Sequence, residues 1–346
     1  GRMYAAGIGV TENETEARRL FVAAANQGHV EASAYAGKFL VYGKGGPVNM
    51  PAGPRYAEAA AQAGSIDAKS MLGVRYMTTA FETGNNADMP RAVQYLEQAA
   101  EAGNAVAQVA LGSTVYFYGV GGVARDMVKA VKYSRMGVEQ GNPESMDNLG
   151  TLMVFGEAAA GGSLSEGWAL IDRAAQAGSG RAMWRLGQAK INGEEGLAKD
   201  LPGGLRLARL SAQTGDENGL FLLAMLTYHG ISLPADKVEG IRLFRRAAEA
   251  GSGEAQHEMG LIYYFGDIGI EKSLAEAARW ARMSADSGAA IGQLLYGKLL
   301  WAGEGVVQDR IAAVRYYKKA ADQGNATAIR DLTDPEVAAI LVTLSS

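Results

Sequence analysis

Nine glycines recur along the chain at nearly even intervals. Gly28, Gly64, Gly103, Gly141, Gly178, Gly215, Gly251, Gly288 and Gly324 lie 36, 39, 38, 37, 37, 36, 37 and 36 residues apart. A period of this length constrains the fold more than composition does. It marks stacked supersecondary units, none of which buries its apolar face alone. The frame around each anchor is equally regular. Four residues on, the side chain is small in all nine units, as at Ala32, Ala68, Gly219, Gly292 and Ala328. Nine residues on, seven of nine units carry a second glycine (Gly37, Gly73, Gly112, Gly150, Gly187, Gly260, Gly297). Eleven residues before the anchor stands Ala or Gly, and eight before it a large residue such as Leu20, Tyr133, Leu243 or Trp280.

Offsets of three, four, seven and eight trace one face of an α-helix. Each unit therefore reads as a helix A ending at the anchor, a tight turn, a helix B and a loop. The anchor suits the position just past a helix end, where φ is often positive. A glycine inside helix B costs roughly 1 kcal/mol against alanine in isolation, so its recurrence predicts close approach of a helix A. Residues 105–118 are expected to form one regular helix B. Asp126, Ser273 and Asp309 are expected N-caps. Two connections break the frame: 43–54, GKGGPVNMPAGP, and 77–90, MTTAFETGNNADMP, which is expected to be a long loop. Pro335 is expected to open a last helix. The expected fold is all-α, a right-handed α/α superhelical solenoid of about nine hairpins. Residues 1–346 are expected to form a single array: 1–10 the tail of a preceding repeat, 11–328 the repeats, 329–346 a capping helix.

Composition narrows the function classes. Hydrophobic content of 48% and charged content of 20% are those of a globular chain. A net charge of −4 gives no basis for nucleic-acid or anionic-membrane binding. No apolar run reaches the roughly 18 residues needed to span a bilayer. Cysteine is absent, which excludes disulfides and thiolate chemistry. The chain opens on GRMYAAGIGV, without a signal peptide and inside a repeat, so a longer protein is expected, and whether a secretion signal precedes it is left open.

AVQYLEQAAEAGNAVAQVALG (92–112), IRLFRRAAEAGSGEAQHEMGLIYYFG (241–266) and AVRYYKKAADQGNATA (313–328) share one pattern. It is A-x-x-[large]-x-x-x-A-A-x-x-G, then A-x-x-x-L-G-x-x-Y-x-x-G. This pattern resembles Sel1-like repeats over nearly the whole chain. A tetratricopeptide array has a period of about 34 residues and a turn proline that is missing here. The resemblance implies an adaptor solenoid with helix A on the concave wall. It also implies a bacterial envelope, secretion or host-contact setting. The family's secreted cysteine-rich branch is not matched, because the cysteines are missing.

Catalytic signatures are lacking. His29, His229 and His257 are isolated, and His257 lies in HEMG rather than H-E-x-x-H. The glycine pairs GKGG, GVGG and GEGV lack the G-K-[ST] ending of a phosphate loop, and a repeated turn explains them. No enzyme activity, cofactor or metal is expected.

A basic pattern stands out instead. Nine residues before the anchor lie Arg19, Arg55, Lys132, Arg206, Arg242, Arg279 and Arg315, and five or six before it Arg245, Arg246, Arg282, Lys318 and Lys319. One reading is a solvated face neutralised by acids four residues on: Arg135 with Glu139, Arg245 with Glu249, Arg282 with Asp286, Lys318 with Asp322. The other is a band for an acidic partner. On that reading the partner-binding candidates are Arg206, Arg242, Arg245, Arg246, Arg279, Arg282, Arg315 and Lys319, with Trp184 and Trp301 as aromatic anchors. The expected function is a non-enzymatic scaffold that holds a partner polypeptide along helix A. The expected setting is the bacterial periplasm or cell envelope, toxin immunity included. Neither nucleic-acid binding nor an integral membrane segment is expected. The alternative is a glycan or peptidoglycan module in the groove.

Overall fold

The computed structural model describes residues 1–156, 159–194 and 196–345. The chain groups into two compact units, Gly1–Ala174 and Ala175–Ser346. The first runs α1 (Arg2–Ala6), α2 (Glu14–Ala25), α3 (Val30–Val41), α4 (Gly53–Gln62), α5 (Ile66–Thr83), α6 (Met89–Glu101) and α7 (Ala105–Ala110). A π-helical segment (Leu111–Gly119) follows, then α8 (Met127–Glu139), α9 (Pro143–Val154) and α10 (Leu164–Gln176), whose last turn crosses the boundary. The second unit begins with α11 (Gly180–Asn192), α12 (Leu201–Thr214), α13 (Glu217–His229), α14 (Lys237–Glu249) and α15 (Gly253–Phe265). It continues with α16 (Leu274–Asp286), α17 (Ala290–Ala302), α18 (Arg310–Asp322), α19 (Ala326–Asp331) and α20 (Pro335–Ser345). Even numbers from α2 to α18 are helices A, and odd numbers from α3 to α19 are helices B. Among the described residues no strand occurs, only an isolated bridge between Asp267 and Ile270. The architecture is the expected α/α solenoid.

The anchors do what the sequence requires of them. All nine have positive φ, from 74° at Gly141 to 111° at Gly251, a region costly for residues with a Cβ. Asp126, Ser273 and Asp309 cap their helices by accepting the backbone N–H three residues on, at 3.0, 3.3 and 2.8 Å. The mid-helix glycine of B meets the next helix A. A methyl group added at Gly150 would stand 2.6 Å from the Gly167 carbonyl oxygen and 2.8 Å from Ile171 Cγ1. The small residue four after the anchor faces the preceding helix A, as where Gly219 lies against Ser211. Small positions on both faces of B thus clamp it between two A helices.

Two expectations on local structure need correction. Residues 77–90 do not form a long loop, because α5 continues to Thr83 and ends at Gly84 with φ 70°. With no glycine to stop it earlier, this turn is held by Thr78, Thr79 and Thr83, whose hydroxyls donate to carbonyls four residues back at 2.8–2.9 Å. The expected regular helix over 105–118 turns π-helical at Leu111. There the Ser113 hydroxyl donates to the Val109 carbonyl at 2.6 Å, competing for a ladder acceptor beside a flexible Gly112.

The packing also tells the two walls of each unit apart. In the first unit α5 packs on both α3 and α7, and α7 on α9; in the second, α11 packs on α13 and α15 on α17. Among the described residues no two successive A helices make a comparable contact. Helices crowd on the inside of a curve and spread on its outside. Helices B therefore form the inner wall of each unit, and the expectation that helix A lines the concave wall is overturned.

Candidate functional site

The inner wall is built from the offsets six, seven and ten after each anchor. In the first unit these are Ala34, Tyr35 and Lys38 on α3, and Ser70, Met71 and Val74 on α5. They line a cavity of about 360 Å³ that also takes in Tyr42 and Val106. In the second unit offset six carries Trp184, Phe221, His257, Leu294 and Arg330, and offset seven Arg185, Leu222, Glu258, Leu295 and Asp331; all but the exposed Arg330 are half-buried. The wall thus mixes apolar side chains with charges, among them the buried Asp147 of α9.

Glu258 is the half-buried charge of this wall without an ion pair. Its carboxylate has neither hydrogen bond nor ion pair among the described residues. Burial pushes its pKa up, and only the nearby His229 charge opposes this. Its neighbour His257 has a buried Nδ1 without a partner, and burial pushes its pKa down. An unpaired carboxylate in an apolar surround is costly. Nothing in the repeat pattern singles out Glu258, since offset seven varies from unit to unit.

The basic candidates lie elsewhere. Arg206, Arg242, Arg245, Arg246, Arg279, Arg282, Arg315 and Lys319 are all exposed on helices A, on the outer side. Half of the anticipated neutralisation forms: Arg282 meets Asp286 at 3.5 Å and Lys318 meets Asp322 at 2.9 Å. Arg245 donates instead to the Tyr263 hydroxyl at 3.1 Å, and Arg135 to the Ala160 carbonyl. The stronger pairs run the other way, to an acid three residues upstream. Glu239 with Arg242 and Glu276 with Arg279 are two-armed contacts of 2.6–3.0 Å. The E-x-x-R spacing in the first turns of α2, α14 and α16 was the available signal.

The tryptophans do not join this band. Trp184 and Trp301 are half-buried on helices B, under the guanidinium groups of Arg185 and Arg310 at 5.3 and 4.7 Å. Trp168 and Trp280 are buried. Among the described residues no group of carboxylates and imidazoles could hold a metal, and no helix is long and apolar enough to cross a membrane.

A family model described as Sel1 repeat matches residues 1–29, 30–65, 66–104, 105–142, 180–216, 218–252, 253–288 and 290–325. After the first segment, each match opens on helix B and closes on helix A. The family's first helix is therefore the B helix. Residues 143–179, holding α9 and α10, keep the hairpin without matching the model. The search for curated relatives found no match. The fold is similar to the crystal structure of a protective antigen of uropathogenic Escherichia coli strains displaying an SLR fold. That likeness has 25% identity over 94% of this chain and 76% of the antigen, with a TM-score of 0.56. It is also similar to a Sel1 repeat protein from Oxalobacter formigenes, with 27% identity over 91% and 88% of the two chains and a TM-score of 0.54. With eight matched repeats spread through both units, this chain belongs to the Sel1 repeat family, whose members generally act through protein–protein interaction.

Proposed function

We propose that this chain is a non-enzymatic adaptor that seats a partner polypeptide on the inner wall formed by helices B. The observation that carries this reading is Glu258. A half-buried carboxylate without an ion pair, on a wall whose equivalent positions hold Leu222 and Leu295, suits a lysine or arginine brought by a partner. A prebuilt solenoid wall offers a large surface at little ordering cost. The outer basic band is a weaker seat, because Arg242, Arg279 and Arg282 already hold acids of their own helices. Arg206, Arg245, Arg246, Arg315 and Lys319 have no ion pair among the described residues and remain the part of that band able to meet an acidic surface. The likeness to a protective antigen supports a bacterial, host-facing setting, and an extracytoplasmic location is part of this proposal. Residues 329–346 are read as the cap of the repeat stack, although Ser346 itself lies outside the described residues.

Affinity capture with mass spectrometry separates the two seats. Wild type is compared with Glu258→Lys and with Arg242→Glu/Arg279→Glu/Arg315→Glu, each first shown to keep its helical circular dichroism. The inner-wall reading expects a partner lost by Glu258→Lys and kept by the triple variant. The reverse pattern would move the seat to the outer band. Equal capture by all three would sink both seats.

A further inference from the structure

The second unit carries a charge pattern that the first does not. Six residues before the anchor its helices A hold Arg209, Arg245, Arg282 and Lys318, and nine before it Arg206, Arg242, Arg279 and Arg315. All eight are exposed, so two rows of cations run across α12, α14, α16 and α18 on the outer side. These four helices hold twelve basic against five acidic residues, whereas α2, α4, α6, α8 and α10 hold eight of each. The whole-chain charge of −4 conceals this concentration.

The repeat itself does not ask for these cations. A cation in the second half of a helix suits the macrodipole, but that reason applies to every helix A alike. In the first unit the position six before the anchor holds Val22, Glu58, Glu97, Arg135 and Asp172. Two of these acids stitch neighbouring hairpins together. Glu58 accepts the Tyr76 hydroxyl at 2.5 Å and meets Arg91 at 2.9 Å. Glu97 accepts the Tyr116 hydroxyl at 2.6 Å and meets Lys129 at 2.9 Å. In the second unit the same position is always basic. Half of the two rows is neutralised there, since Arg242, Arg279, Arg282 and Lys318 pair with acids of their own helices. Arg206, Arg209, Arg245 and Arg315 have no ion pair among the described residues, nor have Arg246 and Lys319 beside them.

What this face lacks identifies its partner. Interfaces between proteins deplete charge at their centre and hold aromatic or apolar anchors there. Between the two rows, the residues seven and eight before the anchor are buried except for the half-buried Tyr316, so no apolar side chain is exposed there. The rings at hand are already covered. The Arg279 guanidinium lies over Trp280 at 4.6 Å, and the Lys319 ammonium over Tyr316 at 5.3 Å. The exposed Val238 and Ile311 lie nearer the helix starts, at the rim of the face. Cations spread over four helices without a central anchor suit a diffuse sheet of anions, and anionic lipid headgroups form one. A nucleic-acid duplex offers its phosphates along a rod and is read through its grooves.

We propose that the outer face of the second unit rests on an anionic lipid surface, held by Arg206, Arg209, Arg245, Arg246, Arg315 and Lys319. The proposal does not rest on the inner-wall reading, because vesicle binding is read without any partner polypeptide. The test is co-sedimentation of the whole chain at low salt with vesicles of phosphatidylcholine, alone or with about 30% phosphatidylglycerol. Binding is expected to the anionic vesicles only, and is expected to be lost in about 0.5 M NaCl. Arg209→Gln/Arg315→Gln is expected to weaken it roughly tenfold. Arg55→Gln/Lys69→Gln removes the same charge from the first unit, at residues without an ion pair, and is expected to leave binding unchanged. Both variants are first shown to keep the helical circular dichroism of wild type. The proposal fails if the chain does not pellet with the anionic vesicles, if it pellets equally with the neutral ones, if the two variants weaken binding alike, or if duplex DNA at equal phosphate displaces the vesicles.

Discussion

Arg242 closes on Glu239 one turn upstream on α14, with Nε and Nη2 each 2.6 Å from a carboxylate oxygen. The hydrogen bond from Arg242 holds the Glu239 carboxyl below the usual range. Arg279 on Glu276 and Arg19 on Glu16 repeat the arrangement. A row of arginines that looks like a charged band is therefore partly a row of closed pairs.

Opening one pair should cost little. Glu239→Gln is expected to lower stability by roughly 0.2–0.5 kcal/mol in urea unfolding at low salt. The loss should shrink in about 1 M NaCl, where exposed charges are screened. Because the folded pKa is depressed, the contribution of Glu239 is present above about pH 4.5 and fades as pH falls through the folded value. A loss several times larger, or one unaffected by salt, would mean that Arg242 has another role.

The two glycine positions should differ in kind. Gly251 has φ 111° with nothing within 4 Å of an added methyl group, so Gly251→Ala carries backbone strain alone, about 1–2 kcal/mol. Gly150→Ala would drive a methyl group to 2.6 Å from the Gly167 carbonyl oxygen, and two backbones would have to part. A cost of roughly 3 kcal/mol is expected there. Urea midpoints for both variants settle the order, and a larger loss at Gly251 would overturn the close-approach account.

Glu258 and His257 give the second unit opposite pH responses. Glu258 has a raised folded pKa, so its ionised form weakens the fold once pH rises above about 4.5. Glu258→Gln should raise the thermal midpoint near pH 7, with the gain vanishing toward pH 4. His257 has a lowered folded pKa, so stability is lost as pH falls below about 6.5. His257→Gln should blunt that acid-side loss. Melting curves of both variants between about pH 4 and pH 8 check the signs; a stabilisation by Glu258→Gln that persists at pH 4 would rule out desolvation as its cause.

Much of the fold was legible because repetition averages out local noise. The positive φ at the anchors follows from glycine at one offset, and the caps at Asp126, Ser273 and Asp309 from their place before each helix A. The wall assignment was not legible. Counting from the anchor makes helix A come first, whereas curvature depends on which helices crowd, a property of packing between units. The run past Thr78 to Thr83 was missed because threonine is a weak helix former and its back-bonding to the ladder is invisible in a pattern. Glu258 carries the site argued above through what it lacks, an ion pair, and only coordinates show such an absence.

The cap reading makes a spatially resolved prediction. Val337 on α20 is 4% exposed and packs with Val314 and Tyr317 of α18, beside Leu332, Ile340 and Leu341. Val314 is itself fully buried, so α20 covers an apolar face that α18 would otherwise show to water. Val337→Asp places an unpaired carboxylate in that contact, at a cost of roughly 3 kcal/mol or more. In a repeat array each element leans on its neighbours, so damage should begin at the lesion and fade with distance. Hydrogen exchange followed by mass spectrometry should show faster exchange in α18 and α17 with unchanged rates in α2 to α6. Acceleration spread evenly over both units would mean that the array unfolds as one piece. Unchanged exchange in α18 would show that α20 caps nothing.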